Sequence, residues 1–289
     1  MKSFKIQKIL IPIDFSETSL LAIEHAAFMA KLFRAELILL HVFENPLTSF
    51  NIVAPEVVIQ DISAITDKIE SKLAELTLKI REEYGVLSTP ISTTGNIYNE
   101  IINVCKDTDT NLIVMGTHGI SGFQEFFIGS NTYKVVTKSI CPVISVQTHA
   151  TQLGFENILL PIDNSIHSRQ KAHYAIQLAK QYGSKIHLVG LLESNDILDK
   201  NKLNIILDQV EKYIEEHELG FSREIINGKN IAAATLDYAN KIKADLIVII
   251  TDQDDSISKL FIGSYAQQIV NHSTIPVMSI KPKEGNYLN

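Results

Sequence analysis

Apolar residues follow two alternating rhythms along this chain. Short continuous runs, such as Leu37-Ile38-Leu39-Leu40 and Leu112-Ile113-Val114-Met115, read as strands covered on both faces. Between them lie longer stretches with one apolar face. Ile62, Ile65, Ile69, Leu73, Leu76 and Ile80 recur at helical spacing, and Gly85 is the expected stop. In the first half the pattern predicts strands at 8–13, 36–43, 89–94, 112–116 and 143–147. Helices fit between them at 17–33, 60–84, 97–107 and 130–139. Strand–helix alternation with short links implies a parallel, doubly wound α/β sheet.

The same rhythm occurs twice. Residues 8–43 align without gaps to 157–192, with 11 of 36 positions identical, among them Pro12/Pro161, Asp14/Asp163, Ser16/Ser165 and Ser19/Ser168. Phe127-Ile128-Gly129-Ser130 pairs with Phe261-Ile262-Gly263-Ser264, and Cys141-Pro142-Val143 with Ile275-Pro276-Val277. The offset falls from 149 to 134, so the first copy carries about fifteen extra residues, placed within 44–60. Matched strings at both ends define a duplication. Two domains are expected, 1–150 and 151–289, with a linker near 148–155. Leu203, Ile206, Val210 and Tyr213 supply the second copy's amphipathic helix.

Charge and composition narrow the partners. The formal net charge of the 289-residue chain is −7, split −4 and −3 between the halves. No basic block is present, which argues against nucleic acid. No apolar run is long enough to cross a bilayer. Two cysteines, Cys105 and Cys141, far apart in sequence, give no disulfide framework and no thiolate zinc site. With no leader pattern at Met1–Lys5, a cytoplasmic location is expected.

The chemistry concentrates where strands end. Gly116-Thr117-His118-Gly119, nine residues, then Gly129-Ser130 joins an apolar strand to a helix start. Backbone N–H groups and the helix dipole favour an anion there. Glycines after a strand are also ordinary turn punctuation; the paired Gly129-Ser130 adds specificity, with Ser130 able to cap the helix. There is no Walker lysine and no Gly-x-Gly-x-x-Gly, so neutralisation would fall on backbone donors, the dipole and a metal. Asp14, at the end of the first strand, has two readings. It caps the helix beginning near Glu17, or it sits at a nucleotide edge or beside a phosphate-bound cation. His25, His41 and His173 read as core or surface histidines. His118 is the exception, within reach of a phosphate or ribose.

These residues resemble the universal stress protein family, with two UspA-type domains in tandem. Gly116, Gly119, Gly129 and Ser130 fit the family's Gly-x2-Gly-x9-Gly-(Ser/Thr) motif without a gap. Pro12-Ile13-Asp14-x-Ser16 matches its opening strand. The resemblance implies a five-stranded sheet of order 3-2-1-4-5 per domain. It implies ATP, or AMP or ADP, with Mg or Mn as an accompanying cation. Adenine would lie near Pro12, Ile13, Asp14 and Val42. Ribose and phosphates would lie along Gly116, His118, Gly119, Gly129, Ser130 and Asn131. Family dimers pair their last strands; here Val143–Gln147 and Val277–Lys281 would do so within one chain as an internal pseudo-dimer, with a homodimer also open.

The second copy departs from the motif. Ile250 stands at position 116 and Gln253 at position 119, and Asp252, Asp254 and Asp255 would repel phosphates. Domain two is therefore expected not to bind ATP, with Asp163 as a helix cap. The acidic loop reads as solvated, the alternative being a cation site. Three functions follow: an ATP-binding regulatory protein of the stress response, in which ATP orders 117–128 and alters what a protein partner meets; a slow metal-dependent ATPase using Asp14; or a nucleotide-free interaction scaffold. No catalytic triad or carboxylate pair demands catalysis, so the first is the preferred reading.

Overall fold

The computed structural model describes residues 4–44, 55–117, 128–194, 196–251 and 263–282. The first half runs β1 (Lys8–Pro12), α1 (Glu17–Phe33), β2 (Glu36–Phe43), α2 (Pro55–Tyr84), β3 (Ser88–Thr94), α3 (Ile97–Asp107), β4 (Leu112–Gly116), α4 (Ser130–Lys138) and β5 (Val143–Val146). The second half repeats it as β6 (Asn157–Ile162), α5 (Gln170–Tyr182), β7 (Lys185–Leu192), α6 (Ile197–Glu215), β8 (Phe221–Asn227), α7 (Ile231–Lys241), β9 (Leu246–Ile250), α8 (Ser264–His272) and β10 (Val277–Ile280).

One ten-stranded sheet results, of order β3-β2-β1-β4-β5-β10-β9-β6-β7-β8. Each half keeps the order 3-2-1-4-5. All pairings are parallel except β5 with β10, where Val277 faces Ser145 and Met278 faces Ile144 in antiparallel register. The last strands thus join the repeats as the expected internal pseudo-dimer, and neither is left as an open edge.

Alternation along the strands sorts side chains to two cores. Ile9, Ile11 and Ile13 face the layer that contains α1, α2, α5 and α6. Leu10 faces the layer of α3, α4, α7 and α8. The first layer crosses the repeat boundary. Phe155, in the linker, stacks on His25 and packs on Tyr182. His25 Nε2 donates to the Ala150 carbonyl at 2.6 Å. Burial pushes the His25 pKa down, against that bond and Glu24.

The longest difference between the repeats is α2. It begins at Pro55, not near 60, and runs 30 residues against 19 for α6. Proline suits a first helical position. At 1.5 Å per residue, 30 residues reach about 45 Å, beyond an eight-residue strand of roughly 26 Å. Leu73 and Ile80 are accordingly buried, while Ile65 overhangs and is 52% exposed. Ile62 lies outside the residues whose side chains are described. Gly85 ends the helix at φ +69°.

Candidate functional site

The carboxyl ends of β1, β2 and β4 open on a cavity of about 690 Å³, within the usual range for small-molecule sites. It lies across the β1/β4 boundary, where the strand order reverses. Pro12, Ile13 and Asp14 line it from β1, and Leu40 to Glu44 from β2. Asn96, Ile97 and Ile101 close it from α3. Met115 and Gly116 of β4 and Gly129 to Thr132 and Lys134 of α4 form the opposite wall. Eight of the ten sequence-predicted residues therefore meet in one place: Pro12, Ile13, Asp14, Val42, Gly116, Gly129, Ser130 and Asn131. His118 and Gly119 lie outside the described residues, as does the acidic stretch 252–255.

The turn after β1 is tightly built. Asp14 Oδ1 accepts from Ser16 N at 3.0 Å and from Ser16 Oγ at 2.6 Å. Ser16, not Asp14, is the N-cap of α1, its hydroxyl accepting from Ser19 N. Asp14 instead holds the capping residue, through an Asx-type turn. Between them Phe15 has φ +64°, an uncommon conformation for a bulky residue. Its ring lies 5.3 Å from that of His41, and Lys72 Nζ sits over the Phe15 ring, 5.0 Å from its centroid. His41 Nδ1 donates to the Ile13 carbonyl at 2.7 Å. The sequence suggested a core or surface role for this histidine; it lines the cavity.

The helix that faces the cavity is open at its start. Gly129 is the N-cap of α4, no side chain caps it, and its first turn carries no acidic residue. Ser130 is the first helical residue rather than the cap. The first N–H groups of α4 and the positive dipole end are left available to an anion. One turn on, Lys134 lines the cavity, its Nζ 4.9 Å from the Tyr98 ring centroid. A lysine thus lines this wall in addition to the backbone donors. Among the described residues no group of three or more His, Cys, Asp or Glu side chains gathers to hold a metal.

Glycine 116 serves packing as much as any ligand. A Cβ there would lie 2.9 Å from Thr18, including its backbone carbonyl carbon. Thr132 Oγ1 also donates to the Gly116 carbonyl at 3.0 Å. Gly116→Ala is expected to cost about 1–3 kcal/mol of stability through this clash. Denaturant unfolding checks it, and an unchanged midpoint would show that the first turn of α1 moves at no cost.

The second half carries larger, buried side chains at equivalent positions. Ile250 replaces Gly116 and is buried. The turn that would match the start of α1 is not helical, and α5 begins only at Gln170. A branched side chain at 250 leaves no room for the helical turn that packs on Gly116. Lys171 stands where the first half has Ala22 and is fully enclosed, donating to Ser168 Oγ at 3.1 Å. Asp163 Oδ1 accepts from Ser165 N at 2.9 Å. It caps no helix, contrary to expectation, because α5 starts too late. Burial alone would raise the Asp163 carboxyl, but Lys171, Ser165 and Ser168 hold it below its ordinary value. Burial brings Lys171 down to about 8 in spite of Asp163. Tyr265 takes the place of Asn131, buried, its hydroxyl donating to Thr235 Oγ1 at 3.2 Å.

Comparison with known proteins decides the family. The model of the universal stress protein family matches residues 5–147 and again 154–281. The chain belongs to the universal stress protein family. It carries the family unit twice. Universal stress protein YxiE of Bacillus subtilis is 34% identical over 145 residues, covering 48% of this chain and 98% of its own. Universal stress protein MJ0577 of Methanocaldococcus jannaschii is 28% identical over 158 residues, covering 50% and 97%. A solved universal stress protein from Archaeoglobus fulgidus DSM 4304 superposes on 98% of this chain and 99% of its own, with TM-score 0.76 and 23% identity. That likeness concerns the fold. Among the described residues of this universal stress protein, no helix is long and apolar enough to cross a membrane.

Proposed function

We propose that this tandem universal stress protein holds one adenine nucleotide, in the half comprising residues 1–150, and that residues 151–289 hold none. The observation that carries the reading is the asymmetry between the repeats. One carries an open cavity of about 690 Å³ with an uncapped helix start and Lys134 on one wall. The other places Ile250 and Tyr265, both buried, where the first has Gly116 and Asn131, and encloses Lys171 near Asp163. Phosphates would lie along Gly116, Gly129, Ser130 and Asn131, where backbone donors, the α4 dipole and Lys134 supply positive charge. The base would lie against Ile13 and Val42, with Asp14 at its edge. His118 and Gly119 join the phosphate end by their place in the motif. A Mg or Mn ion travelling with the phosphates would offset the carboxylates of Asp14 and Glu44. The protein then acts as a nucleotide-responsive regulator in the cytoplasm, its surface read by a protein partner.

Native mass spectrometry of the full chain is the direct test, with one nucleotide per chain expected. Added Mg-ATP at about 100 times its dissociation constant should stabilise the fold by about 2.7 kcal/mol. No bound nucleotide and no thermal shift would defeat the reading and leave the nucleotide-free scaffold.

A further inference from the structure

The two cysteines play no part in the site so far, yet the fold brings them together. Cys105, in the last turn of α3, is buried; Cys141, in the turn before β5, is half-buried. Their Sγ atoms lie 3.3 Å apart. Cys141 is fixed by Ser139, whose hydroxyl donates to the Cys141 carbonyl at 2.7 Å and accepts from its N–H at 3.2 Å. Ser273 and Ile275 repeat that turn with the same distances in the second half. There, however, Ala239 and Ile275 occupy the two cysteine positions. Apolar side chains suffice for this packing, so the thiols are not required by the scaffold.

Their location ties them to the cavity walls. Cys105 is one helical turn from Ile101, on the same face of α3, and Ile101 lines the cavity. The segment between the cysteines contains β4, the glycine loop and α4. A disulfide needs a sulfur separation of about 2.05 Å, so closure requires an approach of roughly 1.3 Å. Its hydrogen bond with Cys141 and its burial hold the Cys105 thiol above its ordinary pKa. Cys141 is the more accessible of the two sulfurs, and access favours reaction.

We propose that Cys105 and Cys141 are a redox-active dithiol that closes by exchange with a small-molecule disulfide and staples α3 to α4 and β5 beside the cavity. The Cys141 thiol gives its proton to solvent, and the thiolate attacks one sulfur of the external disulfide. That S–S bond breaks, and the first small thiolate leaves and takes up a proton. Cys105, deprotonated in turn, attacks Cys141 Sγ and expels the second small thiolate. The net change is one external disulfide reduced to two thiols while the protein loses two hydrogens. Stapling fixes both walls before a ligand arrives, which raises affinity by lowering the ordering cost. This last consequence rests on the nucleotide reading; the dithiol itself does not.

The test incubates the full chain, without denaturant, with oxidised glutathione, followed by intact mass and peptide mapping. The expected result is loss of two hydrogens, a linked Cys105–Cys141 peptide and no retained glutathione. Cys105→Ser should instead keep one glutathione, on Cys141. Wild-type protein that retains both thiols, or stops at the mixed disulfide, overturns the dithiol. ATP affinity is then measured on reduced and oxidised protein. At least threefold tighter binding is expected on oxidation, and equal or weaker binding overturns the coupling. The pair Cys105→Ala with Cys141→Ile, borrowed from the second repeat, should bind ATP alike in both conditions. If the reduced protein binds no ATP at all, the nucleotide reading fails, and the mass result alone decides the dithiol.

Discussion

Replacing Asp163 with asparagine lowers the stability of the full chain by about 1–3 kcal/mol, because it takes the counter-charge from an enclosed ammonium. The ammonium is enclosed and donates to Ser168 Oγ. Opposite it, the Asp163 carboxylate is held ionised by Lys171 and by Ser165 and Ser168. Asparagine keeps the size of the side chain but leaves the Lys171 ammonium enclosed and unbalanced. Adding Lys171→Met should recover much of the loss, because a pair replaced by neutral groups is often tolerated. Urea unfolding of the two variants against wild type checks both statements. If the single variant unfolds at the wild-type midpoint, the pair carries no such role.

The same pair predicts a dependence on pH. Lys171 ionises at about 8 in the fold against 10.5 in the open chain. Between those values the unfolded chain binds more protons, so this group's contribution makes stability rise as pH rises from about 8 to 10.5. Asp163 is lowered, so its contribution is present above 3.8 and is lost as pH falls through its folded value. Lys171→Met should remove the alkaline slope.

What the sequence carried follows from its regularities. Apolar runs and helical spacing repeat over many residues, so strand order and the joining of β5 to β10 could be anticipated from the duplication and the family resemblance. The glycine motif located one wall of the cavity. Lys134 escaped notice because a single lysine one turn into a helix has no pattern; it matters only once α4 is placed opposite β1. No sequence pattern marks Lys171. Its burial accompanies the late start of α5 at Gln170. Of the two readings open for Asp14, capping fell to Ser16 two residues on, past the left-handed backbone of Phe15. The contact between Cys105 and Cys141 needed α3 and the α4–β5 turn to be set side by side.

Gly129→Val should abolish nucleotide binding while leaving the fold standing. Gly129 has φ −57° and ψ 144°, a conformation open to any residue, so valine adds no left-handed strain. A Cβ there meets the Thr117 carbonyl oxygen at 3.1 Å and Thr132 Oγ1 at 4.0 Å, and no other atom of the described residues within 4 Å. The branched methyl groups would therefore enter the mouth of the α4 N-terminus, where the phosphates are proposed to lie. A hundredfold or greater loss of ATP affinity is expected, about 2.7 kcal/mol or more, with a melting temperature within a few degrees of wild type. Gly116 cannot serve this purpose, since any side chain there strikes Thr18 and confounds binding with folding. Gly263→Val is the matched control in the second repeat. Its backbone is nearly the same, φ −57° and ψ 148°, so it reports the structural cost of valine at this turn. If the proposed asymmetry holds, it leaves ATP affinity unchanged. Equal losses of affinity in both variants would mean that the second half contributes to nucleotide binding after all. Wild-type affinity in Gly129→Val would mean that the phosphates do not meet α4.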